Sequence, residues 1–234
     1  MTRKQGRSLM EATMCTYTPL IDLKPSDPTT MLTSAVEAMR LNQERGQKYT
    51  VFTADQQLYK VLCDIKWADP KRFEYFIPRL GGMHFLMSFV GCVGVLMQNS
   101  GLADIMKSAF AGVPKMLSGK NYPNNVRALR IVVEELLREV LPDLECEFEL
   151  QTYLKELAAK SKTSQLWIDG LIKPVLLMML YVRAEREAEW PLHLYAVSQM
   201  IPYFFAAGHP NYARYGLYYL RSMERLPSDV LKHF

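Results

Sequence analysis

Asp55 closes the segment Val51-Phe52-Thr53-Ala54-Asp55, and Gly81-Gly82-Met83-His84 follows the segment Phe73 to Leu80. If both segments are parallel strands, Asp55 and His84 emerge side by side at the carboxyl rim, where α/β units bind ligands. A carboxylate there is a hard oxygen ligand for a divalent cation. Asp55 also stands directly before a helical run, a position that suits an N-cap. The two roles remain compatible until a second carboxylate is found. His84, between Met83 and Phe85, equally suits a satisfied core histidine. Gly81-Gly82 allows close backbone approach but lacks the further glycines and the lysine of a phosphate loop.

Charge offers a second chemistry. Between Ile105 and Val133 stand five basic residues, Lys107, Lys115, Lys120, Arg127 and Arg130, and no acidic one. From Glu134 to Glu149 there are seven acidic residues and one arginine. Lys115, Lys120, Arg127 and Arg130, with Asn121, Tyr122 and Asn124, could follow a phosphate backbone. A solvated helical hairpin with oppositely charged faces gives the same pattern, and no known nucleic-acid module is present. Glu185, Glu187 and Glu189 follow a strongly apolar run, with Arg183 and Glu187 spaced to pair on a helix surface. Gly208 to Tyr215 is a polar and aromatic stretch that could bond its own helix ends or line a site.

The elements that must hold these residues can be read from periodicity. Asp27-Pro28 opens a helix, and Met31, Leu32, Ala35, Val36 and Met39 recur along it at helical spacing up to Gly46. Tyr49 to Thr53 reads as a strand, Gln56 to Trp67 as a helix, and Phe73 to Leu80 as a second strand. Strand, helix and strand over so short a span form a parallel βαβ unit. The expected helices beyond it are 83–98, 102–110, 124–141, 147–160, 165–189, 192–206 and 211–224. The fold class is therefore mainly α with a small parallel βαβ unit. The expected organisation is a flexible basic tail over 1–14, a helix plus βαβ unit over 15–100, and a helical domain over 101–234. Two parallel strands are marginal alone. A further strand at Thr16-Tyr17-Thr18, or association through the incomplete sheet, would relieve that.

Composition excludes some classes. The 234 residues are 49% hydrophobic and 22% charged, so the chain has apolar surface enough for a packed core. Of the net charge of +4, three positive charges come from Arg3, Lys4 and Arg7, and the rest is nearly neutral. Cys15, Cys63, Cys92 and Cys146 show neither paired nor metal-ligand spacing and read as reduced thiols of an intracellular protein. Met1 to Met10 is polar, without the apolar core of a signal peptide. Leu80 to Met97 and Leu171 to Val182 read as buried helices rather than membrane spans.

Several motifs in order resemble a large group of uncharacterised transposon-derived proteins multiplied in animal genomes. They are Gly46-Gln47-Lys48-Tyr49-Thr50, Asp55-Gln56-Gln57-Leu58-Tyr59, Arg79-Leu80-Gly81-Gly82-Met83-His84, Ser100-Gly101-Leu102, Tyr181 to Glu187, and Asn211-Tyr212-Ala213-Arg214. The resemblance spans roughly residues 17–230 and implies a ribonuclease H-like transposase core. In such cores three acidic residues hold two divalent metals for phosphodiester chemistry. Asp55 matches the second acidic residue and metal ligand, and His84 matches the histidine after the next strand. The helical stretch from 102 to about 190 matches the insertion before the final acidic residue. The first acidic residue has no match in residues 1–48, Asp22 being a poor stand-in. The third would be Glu187 or Glu189, or would lie beyond Phe234.

The resemblance therefore implies an incomplete core, catalytically inactive alone, with weak DNA contact through Lys107, Lys115, Lys120, Arg127 and Arg130. One alternative is an Mg²⁺-dependent polynucleotidyl transferase using Asp55, His84 and Glu187. The other is a helical protein-interaction scaffold. The location expected is nuclear or cytoplasmic.

Overall fold

Asp27 accepts a 2.7 Å hydrogen bond from the Thr29 amide and Pro28 takes the first helical position, so α1 (Pro28–Glu44) begins as its cap dictates. The computed structural model describes residues 17, 18, 20–120, 122–140 and 147–231. The basic tail 1–14, Cys15, Thr16, Asn121, Asp143, Glu145 and Cys146 lie outside the described residues, as do the side chains of Tyr122 and Glu147. Tyr17 and Thr18 are not in a strand.

β1 (Thr50–Ala54) and β2 (Phe76–Leu80) pair in parallel, with Thr50 opposite Phe76 and Ala54 opposite Leu80, and α2 (Gln56–Ala68) crosses between them. β2 is shorter than expected because Phe73 sits in a turn, its amide bonded to the Asp69 carbonyl at 3.2 Å. Among the described residues the sheet has these two strands only. Its two edges differ. In the parallel ladder Thr50 bonds to Tyr75 and Ala54 to Gly81, so Val51 and Thr53 turn their amides and carbonyls away from β2. On β2 the outward edge is closed: Pro78 has no N–H, and the Phe76 carbonyl accepts from the Lys66 ammonium.

The remaining chain is helical: α3 (Gly82–Leu96), α4 (Leu102–Lys107), α5 (Val113–Leu117), α6 (Tyr122–Val140), α7 (Glu147–Ala159), α8 (Lys162–Trp167), α9 (Lys173–Glu187), α10 (Trp190–Ala206), α11 (Pro210–Glu224) and α12 (Ser228–Leu231). The protein is mainly helical with a small two-stranded parallel sheet. The helix expected over 165–189 is interrupted by a π-helical turn, Ile168–Ile172. Pro174 explains it, since its ring crowds the Gly170 carbonyl and it donates no N–H. By length and composition the helical run Lys162–Glu187 could cross a membrane, and half of its apolar window is buried inside the fold.

One main core joins Tyr59, Phe85 and Phe89 to Val133, Val175, Phe204 and Tyr219. It includes residues on both sides of position 100. A smaller cluster of Met31, Ala35, Ala54, Leu62, Phe73 and Phe76 seals α1 and α2 on the sheet. At the centre is α3, and glycine sets its closest approaches. A Cβ at Gly94 would stand 2.0 Å from the Leu117 carbonyl oxygen, and one at Gly119 would stand 2.1 Å from that of Met87. These partners are backbone and cannot swing aside. Gly94→Ala is expected to cost about 1–3 kcal/mol, as overpacking does. Urea unfolding measures it, and a variant as stable as the parent would refute this account of the α3–α5 contact.

Candidate functional site

The strand rim forms, with Asp55 and His84 at its end. Asp55 is the N-cap of α2, its carboxylate accepting from the Leu58 amide at 2.9 Å. Gly81 bonds to the Ala54 carbonyl at 2.6 Å, which joins the two strand ends. His84 lies exposed in the first turn of α3, so the expectation of a core histidine is corrected: the buried face of α3 starts at Phe85 and Leu86. Glu187 is on the solvent face of α9 and pairs with Arg183 at 3.0 Å. Among the described residues no three His, Cys, Asp or Glu side chains gather as metal ligands. The described donors around Asp55 therefore do not fit a Mg²⁺ centre.

A different polar group is centred on His193, which is buried with Tyr219, while Arg79 and Glu185 reach toward solvent. On α9, Tyr181 and Glu185 are one turn apart and face the start of α3 at Gly82. A Cβ at Gly82 would come within 2.6 Å of the Tyr181 hydroxyl and 3.3 Å of a Glu185 oxygen. Glu185 Oε1 lies 2.6 Å from His193 Nδ1 on α10 and 3.5 Å from the Arg79 guanidinium on β2. The His193 N–H departs from the line to the carboxylate, so this short approach is chiefly electrostatic. On the other side of the ring, His193 Nε2 is 3.0 Å from the Tyr219 hydroxyl of α11. Trp190 stacks on the imidazole with centroids 5.0 Å apart and planes at 9°.

His193 holds the Glu185 carboxyl below its ordinary range; burial opposes this, and Arg79 adds to the lowering. Burial pushes the Tyr219 phenol up, so it remains neutral. The arrangement Tyr219–His193–Glu185–Arg79 thus ties three helices and a strand together, with its hydrogen-bonding groups turned on one another. Beside it opens a cavity of about 870 Å³ whose wall includes Lys48, Arg79, Glu185, Trp190, His193 and Asp229. Its charges largely cancel: Lys48 approaches Asp229 at 3.8 Å, and Tyr49 donates to Asp229 at 3.0 Å.

The five basic residues lie on α4 to α6 and are exposed. Lys107 is paired with Asp104 at 3.0 Å and Arg130 with Glu134 at 2.6 Å. Lys115, Lys120 and Arg127 make no ion pair among the described residues. In the polar stretch 208–215, His209 Nδ1 meets the Ser88 hydroxyl of α3 at 2.8 Å, and Tyr212 stacks on Phe204. Cys63 and Cys92 are buried free thiols, each pushed up to about 12 by burial.

Sequence reading named Glu185 without a partner and passed over His193. The available signal was weak: a histidine and a tryptophan three apart at the head of an apolar helix, following a glutamate-rich turn.

By its architecture the chain is a helical protein built around a small βαβ sheet. It belongs to the family described as a domain of unknown function (DUF8702), whose profile matches residues 1–152 and 144–234. No curated protein and no solved structure gives a significant match.

Replacing Glu185 by Gln should destabilise the protein by about 1–2 kcal/mol at pH 7. Because the folded carboxyl titrates below the ordinary 4.5, its contribution is present above that pH and fades as pH falls through the lowered value. Unfolding curves of parent and variant should therefore converge in acid. A difference that stays constant down to pH 3 would refute the electrostatic role.

Proposed function

We propose that this chain is a transposase-derived domain with an incomplete ribonuclease H-like core, which contacts DNA and does not cleave it alone. The observation that carries the DNA reading is the exposed set Lys115 on α5, Lys120 in the connection after it and Arg127 on α6, with no ion pair among the described residues. Fixed cations without carboxylate partners attract a phosphate backbone and release its counterions. Lys107 and Arg130 contribute less, because Asp104 and Glu134 already hold them. The order of motifs around Asp55 and His84 supports the transposase origin. The capped Asp55, apart from other metal-ligating side chains among the described residues, supports the non-cleaving part. The reading carries an intracellular location.

Fluorescence anisotropy of a labelled duplex over a salt series tests it, with Arg3, Lys4 and Arg7 changed to Gln throughout to silence the tail. Each lost phosphate contact should flatten the log–log slope by about 0.9. Arg127→Glu and Lys115→Glu should each do so, and Arg130→Ala much less. Absence of binding at low salt would sink the DNA reading. Mg²⁺-dependent nicking that disappears in Asp55→Asn would instead establish the strand transferase.

The open edge of β1 favours a second reading, a scaffold that pairs with a protein partner or another copy. Val51 is 42% exposed, and its backbone groups turn away from β2. Thr53→Pro removes one outward donor and should lower any self-association seen by sedimentation. Unchanged association would place the contact elsewhere.

A further inference from the structure

Proteins guard the edge of a sheet with proline, lysine or a covering element, because unpaired backbone groups there recruit another strand. β2 carries two such guards, Pro78 and the Lys66 ammonium on the Phe76 carbonyl. β1, Thr50-Val51-Phe52-Thr53-Ala54, carries neither and has no charged side chain along its length. Val51 and Thr53 are exposed, and their backbone groups point away from β2. Among the described residues no other strand meets them.

That open edge is complementary to itself. The outward residues Val51 and Thr53 stand on either side of Phe52, whose backbone groups turn to β2. A twofold axis at Phe52 therefore sets Val51 of one copy opposite Thr53 of the other, and the reverse. In an antiparallel ladder each such pair exchanges two backbone bonds, so the junction satisfies every outward group of both strands. The strand ends carry opposite charges, with Lys48 before β1 and Asp55 after it. The same axis brings the Lys48 end of each copy to the Asp55 end of the other. Parallel pairing would set like charges side by side. Lys48 is exposed and makes only a loose 3.8 Å approach to Asp229 within its own chain.

We propose that two copies of this chain join β1 to β1 in antiparallel register about Phe52, forming one continuous four-stranded sheet. On the scaffold reading of the open edge, on which this rests, the partner is a second copy of the chain. Two parallel strands are marginal alone, and the junction doubles the sheet. On one face the axis places the two partly buried Phe52 rings side by side, and on the other Val51 meets Thr53. So small an interface gives a weak dimer, with a dissociation constant on the order of 10 µM. It shares no residue with the proposed DNA contact on α4 to α6.

Sedimentation of the full chain across that concentration range tests the pairing, and monomer and dimer should interconvert. Val51→Lys, a change at an exposed position, should weaken the dimer about tenfold while thermal unfolding shows the fold intact. Cross-linking tests the register, with Cys15→Ser and Cys146→Ser throughout, so that the buried Cys63 and Cys92 are the native thiols that remain. Phe52→Cys should form a disulfide with its own copy on mild oxidation, because facing residues there have Cα atoms about 4.5 Å apart. Val51→Cys alone should not cross-link, but should do so when mixed with Thr53→Cys. That mixture keeps the Phe52 ring, so it decides the register even if Phe52→Cys fails to fold. A parent that stays monomeric overturns the second copy as partner and leaves the edge to a foreign strand. A dimer indifferent to Val51→Lys places the contact off β1, which overturns the edge reading together with the dimer. A dimer that Val51→Lys dissolves, but whose mixed cysteine variants fail to cross-link, overturns the antiparallel register.

Discussion

Backbone against backbone is the contact on which this structure depends. α3 can lie at the centre of the fold only because Gly94 lets the Leu117 carbonyl approach and Gly119 lets that of Met87 do so. A side chain at either position would push α5 outward. With α3 seated, Phe85, Phe89, Val90 and Val93 fill the main core. Its first turn is then held above Tyr181 and Glu185, at a distance that only Gly82 permits. The glycines of α3 thus work at two scales: they set the packing of the core, and they place the helix start beside the carboxylate that meets His193.

That carboxylate is secured from several directions. Glu185 is partly shielded from water, which is unfavourable, and its lowered acidity range reflects His193 first and Arg79 after it outweighing that cost. The start of α3 adds a favourable dipole. A purely apolar contact between α9, α10 and β2 could slide by a turn with little penalty, whereas a histidine held between the Glu185 carboxylate and the Tyr219 hydroxyl cannot. The network therefore fixes the register of three helices on the sheet, and the cavity beside it takes its shape from that register.

What was legible in the sequence was local. Asp27, Asp55 and Gly46 announced helix ends through capping chemistry, and the structure places each where that chemistry acts. β-branched and aromatic clustering located both strands to within a few residues. The shortfalls arise where a partner is distant in the chain. Glu185 meets Arg79 far back in the sequence, and nothing in a run of three alternating glutamates singles out the first as the one that turns to His193. His84 looked apolar from its neighbours, yet the helix turns it outward while Phe85 turns in. Pro174 was visible, but the π-helical turn that accommodates it follows from the tight approach of Gly170 to Met97 as well, at 2.8 Å for a Cβ.

The two edges of the sheet differ in what they leave open. A two-stranded parallel sheet has little stability of its own, and here the two core clusters supply it from either side. At β2 the edge is shut twice, by a proline that cannot donate and by a lysine that occupies a carbonyl. Shutting it required a cation at that edge. At β1 no such device operates, and Val51 and Thr53 keep their backbone groups outward. Any strand that extends the sheet must therefore join beside β1, next to the rim where Asp55 caps α2. The asymmetry follows from Pro78 and Lys66, two residues whose significance appears only once the direction of each strand's hydrogen bonds is known.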